Sequence, residues 1–295
     1  MNVTIPTIAD SAMLVYVQVR MWSARKLDKK QTAKTIEEAN ATRDAARVNK
    51  HLLANADSKL KEVQRKANEI RDFLDTNTLP WDKAGNRIIS NAHALIAVGK
   101  LENLRKDFEE LADDFVADYP ALREQAIANL GDMGEHGDYP AAGIVRAKFG
   151  VKIEFSPVPT NFGDVRVGMS QQQAQAWQAH FEDNVKSQVA DSLKAAWARL
   201  REDLEKYSDR LTRDPGDDKG RIFRDTMVTN LRETCALLSS LNIFGDEELA
   251  KITSKVSLEI AKYEPDVLRT NVGAATQVKA EVDDLLKQMQ GLFGA

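Results

Sequence analysis

Between Trp177 and Leu211 the apolar residues recur at steps of four and three: Trp177, Phe181, Val185, Val189, Leu193, Trp197, Leu200, Leu204, Tyr207 and Leu211. Four residues turn an α-helix through about 400°, so each step of four moves the stripe about 40° round the axis. The five successive steps from Trp177 to Trp197 wind it through about 200°. No single straight partner helix can cover such a stripe. The helix must meet several neighbours in turn, which marks it as the spine of a helical body. Ser170 and Gln173 have capping-box spacing and place its start.

Two other stretches carry straighter seams. Leu60, Val63, Ala67, Ile70 and Leu74 alternate steps of three and four, as do Leu101, Leu104, Phe108, Leu111 and Phe115. The break between them holds Pro80, which disfavours helix at Leu79, and the turn residues Gly85-Asn86. Matching seams joined by a compact break predict an antiparallel helical hairpin over 28–118. Charge agrees. Residues 25–71 hold 13 Lys/Arg against 7 Asp/Glu, and 101–140 hold 3 against 11. Packed together, the arms neutralise one another. Pro120 suits the first turn of a new short helix. Further helices are expected over about 218–241, from an Asp246 cap to Lys262, and along Val278, Val282, Leu285 and Met289.

Strand patterns are few. In "MLVYVQVRMW" (13–22) Val15, Val17, Val19 and Met21 alternate with Tyr16, Gln18, Arg20 and Trp22. Val151, Ile153 and Phe155, then Val165 and Val167, alternate on either side of "PVPTNFG". A lone hairpin is marginal in water, so 13–22 and 150–168 are expected to form one small three-stranded antiparallel sheet. The predicted fold is mainly α: an elongated antiparallel hairpin (28–118), a helical bundle (120–295) and that sheet, in one domain of 295 residues.

Composition narrows the function. Aromatics make up 6% and charged residues 29%, which suits solvated helices better than an aromatic-lined pocket. The net charge of −4 gives no reason for the whole chain to seek nucleic acid. Cys235 is the only cysteine and lies on an apolar helix face, so no intramolecular disulfide can form. No signal-peptide pattern or run of 18 apolar residues is seen, and a cytoplasmic protein (host cytoplasm if phage-encoded) is expected.

Chemical signatures are missing as well. Gly99-Lys100 lacks the rest of a P-loop. His51, His93, His136 and His180 share no metal-ligand spacing. "DPGDDKGRIFRD" places glycine one position late for a calcium loop and ends on Asp225 instead of Glu. No serine stands in a nucleophile elbow. These readings predict no enzyme activity, no cofactor and no metal. Trp177 and Trp197 are expected in the core. Trp22 and Trp81, at element ends, join Arg25, Lys26, Lys29 and Lys30 as the candidate partner contacts. Lys152, Glu154, Asp164 and Arg166 weigh against a membrane-entering tongue at 150–168, which should be continuously apolar.

The stretches "MWSARKLDKK", "TLPWDKAGNRIISNAHALIAVGKLENLRKDFEELADDFVADYP" and "FGVKIEFSPVPTNFGDVRVGMS" resemble a family of unknown function found in tailed phages and integrative elements. The likeness runs over about 13–210. It implies a gene neighbourhood of AAA+ ATPases and recombination or replication genes, and it carries no functional residues with it. The expected function is a non-enzymatic helical adaptor whose partner is an AAA+ ATPase or recombination protein. A self-assembling virion or scaffold protein, a homo-oligomer, is the alternative. Single-stranded nucleic-acid binding through Lys26, Lys29, Lys30, Lys34, Arg43 and Arg47 on the arm 25–71 is a third reading, disfavoured because that arm lacks stacking aromatics.

Overall fold

The computed structural model describes residues 5–159, 171–211, 225–242 and 244–293. About 70% of it is helical. In chain order the elements are α1 (Ile5–Ser11), β1 (Ala12–Arg20), β2 (Arg25–Leu27), α2 (Lys29–Glu38), β3 (Asn49–His51) and α3 (Ser58–Asn77). There follow β4 (Leu79–Pro80), β5 (Arg87–Ser90), α4 (Asn91–Leu130), α5 (Ala142–Arg146) and β6 (Gly150–Pro157). The last helices are α6 (Gln171–Leu211), α7 (Asp225–Leu241), α8 (Glu247–Lys255), α9 (Pro265–Thr270) and α10 (Val272–Phe293).

The chain divides into two compact units. The first comprises 1–16, 77–96 and 155–295, the second 17–76 and 97–154. A four-stranded sheet has the order β4-β5-β1-β6, and β5 pairs antiparallel with both β1 and β4. The N-terminal strand therefore lies beside "VKIEFS", but it also takes a partner that alternation did not announce. Residues 79–90, expected as a plain break, form the β4–β5 hairpin. Its turn works because Gly85 adopts φ +94° and Asp82 Oδ1 accepts the Ala84 and Asn86 amides at 2.9 and 3.0 Å. The expected strand "DVRVGM" and the Ser170 cap lie outside the described residues.

In the first unit, α6 packs against β4, α7 and α10. Each neighbour is fixed by a polar contact as well as by the stripe. Ser192 Oγ donates to Pro80 O, Thr234 Oγ1 to Asp203 (2.6 Å) and Ser208 Oγ to Asp283. The stripe is buried or half-buried from Phe181 to Leu211. It fails at Trp177, which is 46% exposed and meets His180 edge-on, so the core position expected for it is corrected. Asp246 caps α8 through the Leu249 amide (3.0 Å), and its other oxygen accepts from the buried Trp197 indole (3.2 Å). Beyond Lys255 the helix continues as one π turn, Val256–Ile260.

In the second unit the α3 seam is buried at all five expected positions. Lys59 pairs with Asp118 and Lys66 with Asp107 (3.2 Å), so α3 and the facing part of α4 run in opposite directions. The arm is not helical from Asp28, however. α2 ends in a Schellman motif, with Asn40 at φ +47°, Asn40 N on Glu37 O and Ala41 N on Ile36 O (both 3.0 Å). Ala41 to Asp57 then holds turns and β3. The second correction is Pro120, which lies inside α4 and starts nothing new. Phe115, Tyr119 and Ala126 on the same helix are all buried, and that packing carries the helix past the missing amide.

Asp246→Ala removes the cap and the indole's acceptor together, and should cost about 2 kcal/mol in urea denaturation. Asp246→Asn, which keeps one carbonyl oxygen, should cost clearly less. Equal loss in both variants would contradict this account of the corner.

Candidate functional site

The chain leaves β1 through Trp22 and turns at Ala24, a buried residue held at φ +50°. Left-handed backbone is costly for a residue with a Cβ. Here Ala24 O accepts the Leu52 amide at 2.7 Å, and β2 follows at once, paired antiparallel with β3. At the far end Asp28 N donates to Val48 O (2.9 Å), while Asp28 Oδ1 caps α2 through the Gln31 amide (2.9 Å). The result is a ribbon three residues long, with a different chemistry on each face.

One face carries Lys26 opposite Lys50. Two ammonium groups across a strand pair repel, and Asp138 lies between them. Its Oδ1 meets Lys26 Nζ at 2.7 Å and its Oδ2 meets Lys50 Nζ. Lys50, which is buried, also donates to Met133 O (3.0 Å) and lies 3.8 Å from Asp28. Burial works against the Lys50 charge, but the hydrogen bond and charge of Asp138 outweigh it, and the net shift of its pKa is upward. Burial also works against the Asp138 charge. The hydrogen bonds from Lys26 and Lys50 outweigh that, and its pKa moves down. The loop bearing Asp138 is held by Tyr139 Oη on Leu52 O (2.7 Å) and Tyr119 Oη on Pro140 O (3.0 Å).

The other face carries Arg25 opposite His51, both exposed. They line a cavity of about 380 Å³ whose floor is Ala24, Leu53 and Leu60. Lys61 and Asp57 stand on the rim, 3.0 Å apart. A second hollow, about 350 Å³ over Trp197 and Met289 in the first unit, is edged by the Arg201–Glu205 pair.

The six expected contact residues divide sharply. Trp22 is 4% exposed and packs on Phe115 (6.3 Å) and Tyr119 (5.5 Å, edge-on). Trp81 is 5% exposed in the core of the first unit. Neither can anchor a partner at the surface, because each is spent on packing. Lys26 is held by Asp138 and Lys30 by Glu135 (2.8 Å). Arg25 and Lys29 are exposed. Sequence reasoning weighs His51 only as a metal ligand and does not reach Lys50, Lys61 or Asp138: a three-residue strand has no periodicity to read, and Lys61 and Asp138 join it only through the tertiary fold. Elsewhere, Cys235 is buried and its thiol pKa is pushed up to about 12 by that burial. Among the described residues no cluster of three or more His, Cys, Asp or Glu could hold a metal, and no helix is long and apolar enough to cross a membrane.

Comparison with protein-family models, with curated proteins and with solved structures finds no match.

Asp138→Ala leaves two lysines face to face and should cost about 3 kcal/mol or more. The pH profile has a definite sign. Asp138 titrates below its ordinary 3.8 when folded, so its contribution is complete above that value and is lost as pH falls through the folded pKa. Lys50 titrates above its ordinary 10.5, so its contribution is complete below that value and is lost as pH rises through the folded pKa. Urea midpoints across pH should show both limbs in the wild type and flatter limbs in Asp138→Ala. Identical profiles would show that Asp138 does not hold the ribbon.

Proposed function

We propose that this chain is a non-enzymatic helical adaptor that binds another protein through the start of α4. The observation that carries this reading is the exposure of Leu95 and Ile96, 82% and 68%. The turn that presents them is firmly built. Ser90 Oγ accepts the His93 amide (3.3 Å), and Asn91 Nδ2 donates to Asp10 O (2.9 Å). Covering a leucine and an isoleucine is worth about 3–6 kcal/mol, and holding them in place lowers the entropy lost on binding. The setting, a DNA recombination or replication module of a phage or mobile element with an AAA+ ATPase or recombination protein as partner, follows from the resemblance in 13–210.

The nucleic-acid reading is weakened by the ion pairs. Of the six cations it would use, Lys26, Lys30 and Lys34 face Asp138, Glu135 and Glu38. A phosphate backbone would have to displace those carboxylates.

Light scattering should give a mass near the 32.9 kDa of one chain, or a small multiple of it. A photo-crosslinker at Leu95 should capture a protein of the same module in producing cells, and Ile96→Lys should abolish the capture without lowering the melting temperature. A large closed or filamentous assembly without partners would replace this reading with the scaffold one.

A further inference from the structure

We propose that the cavity on the outer face of the β2–β3 ribbon is a carboxylate-binding site, taking an acidic side chain of the protein partner between Arg25 and His51. The proposal rests on the adaptor reading and gives its partner a chemistry.

The two faces of the ribbon are alike in one respect. Each face sets two basic residues directly opposite one another, Lys26 with Lys50 and Arg25 with His51. On the inner face the chain supplies Asp138 to both. On the outer face, among the described residues, neither Arg25 nor His51 forms an ion pair, and the nearby Asp57 is engaged with Lys61 at 3.0 Å. The inner face shows that one carboxylate can serve both members of such a pair, one oxygen to each side chain. An arginine fork strengthens the case, since it matches a carboxylate in a bidentate manner.

The space fits as well. About 380 Å³ lies within the range of small binding sites, and its floor is apolar. A glutamate stem or a neighbouring aliphatic side chain can rest on Leu53 and Leu60. Leu27, two residues beyond Arg25 on the same strand face, is also exposed and extends the apolar strip. One focus of cations beside an apolar floor suits a protein segment. A nucleic-acid strand needs cations spread along a track and bases stacked on aromatics.

The test uses the full chain and an end-blocked hexapeptide alternating leucine with glutamate, followed by amide shifts at low salt. Ser23, Ala24, Arg25, His51 and Leu53 should move in a saturable way, and Arg25→Gln should weaken binding about tenfold while leaving the other amides in place. No saturable shift at these amides, or equal shifts from the glutamine version of the peptide, would overturn the proposal. Tighter occupation of the same amides by inorganic phosphate would overturn it too, by making phosphate the ligand. Peptide binding lost while the Leu95 crosslink persists would remove this pocket alone. Peptide binding retained in a chain that self-assembles would remove the adaptor reading alone.

Discussion

Lys26 and Lys50 face each other across strands only three residues long, where the ladder supplies few hydrogen bonds to oppose their repulsion. Asp138 turns that repulsion into two ion pairs, and much of the second unit hangs on the result. The ribbon sets the position of Asp28, which caps α2, and of Leu52, whose carbonyl receives the Tyr139 hydroxyl. Asp138 arrives from more than eighty residues downstream of Lys50, on a loop carried at the end of α4. The inner face of the ribbon is therefore complete only with that loop in place, and removing one buried partner costs more than the pair contributes, because a desolvated charge is left behind.

The helical half of this architecture is legible in the sequence. The seam from Leu60 to Leu74 is buried as its period predicts, because a period of 3.6 residues needs only local geometry. The opposite charges of the two arms are also legible, since they sum over many residues. They appear as Lys26–Asp138, Lys30–Glu135, Lys59–Asp118 and Lys66–Asp107. The individual carboxylate that matters is not legible. Asp138 differs from its acidic neighbours only in where the fold puts it. The helix stop at Asn40 is a similar case: one left-handed asparagine ends α2, and nothing in the charge pattern around it marks the change.

The tryptophans show the same limit from another side. Periodicity places Trp177 in a stripe, yet no residue of α6 before Val185 is fully buried among those described. End-of-element position places Trp22 and Trp81 at the surface. Both are buried for reasons of tertiary geometry. The turn at Ala24 folds the chain so that Trp22 meets Phe115 and Tyr119, and the β4–β5 turn draws Trp81 inward, with its amide on Asn86 O (3.0 Å). The winding stripe of α6 needs several neighbours, and that conclusion depends on the helix alone. Which neighbours it meets (β4, α7 and α10) depends on the rest of the chain.

The two faces of the ribbon separate stability from recognition. On the inner face the like charges are compensated within the chain, and Asp138 offsets the cost of burying Lys50. On the outer face Arg25 brings a charge and His51 a ring donor, and no ion pair within the described residues engages either. Arg25 is exposed, so solvent screens its charge and the ribbon needs no internal counter-charge there. A cation and a ring donor side by side at an apolar-floored cavity offer an outside carboxylate two partners at once. On this proposal the inner face finds its carboxylate within the chain, in Asp138, and the outer face finds it on the partner.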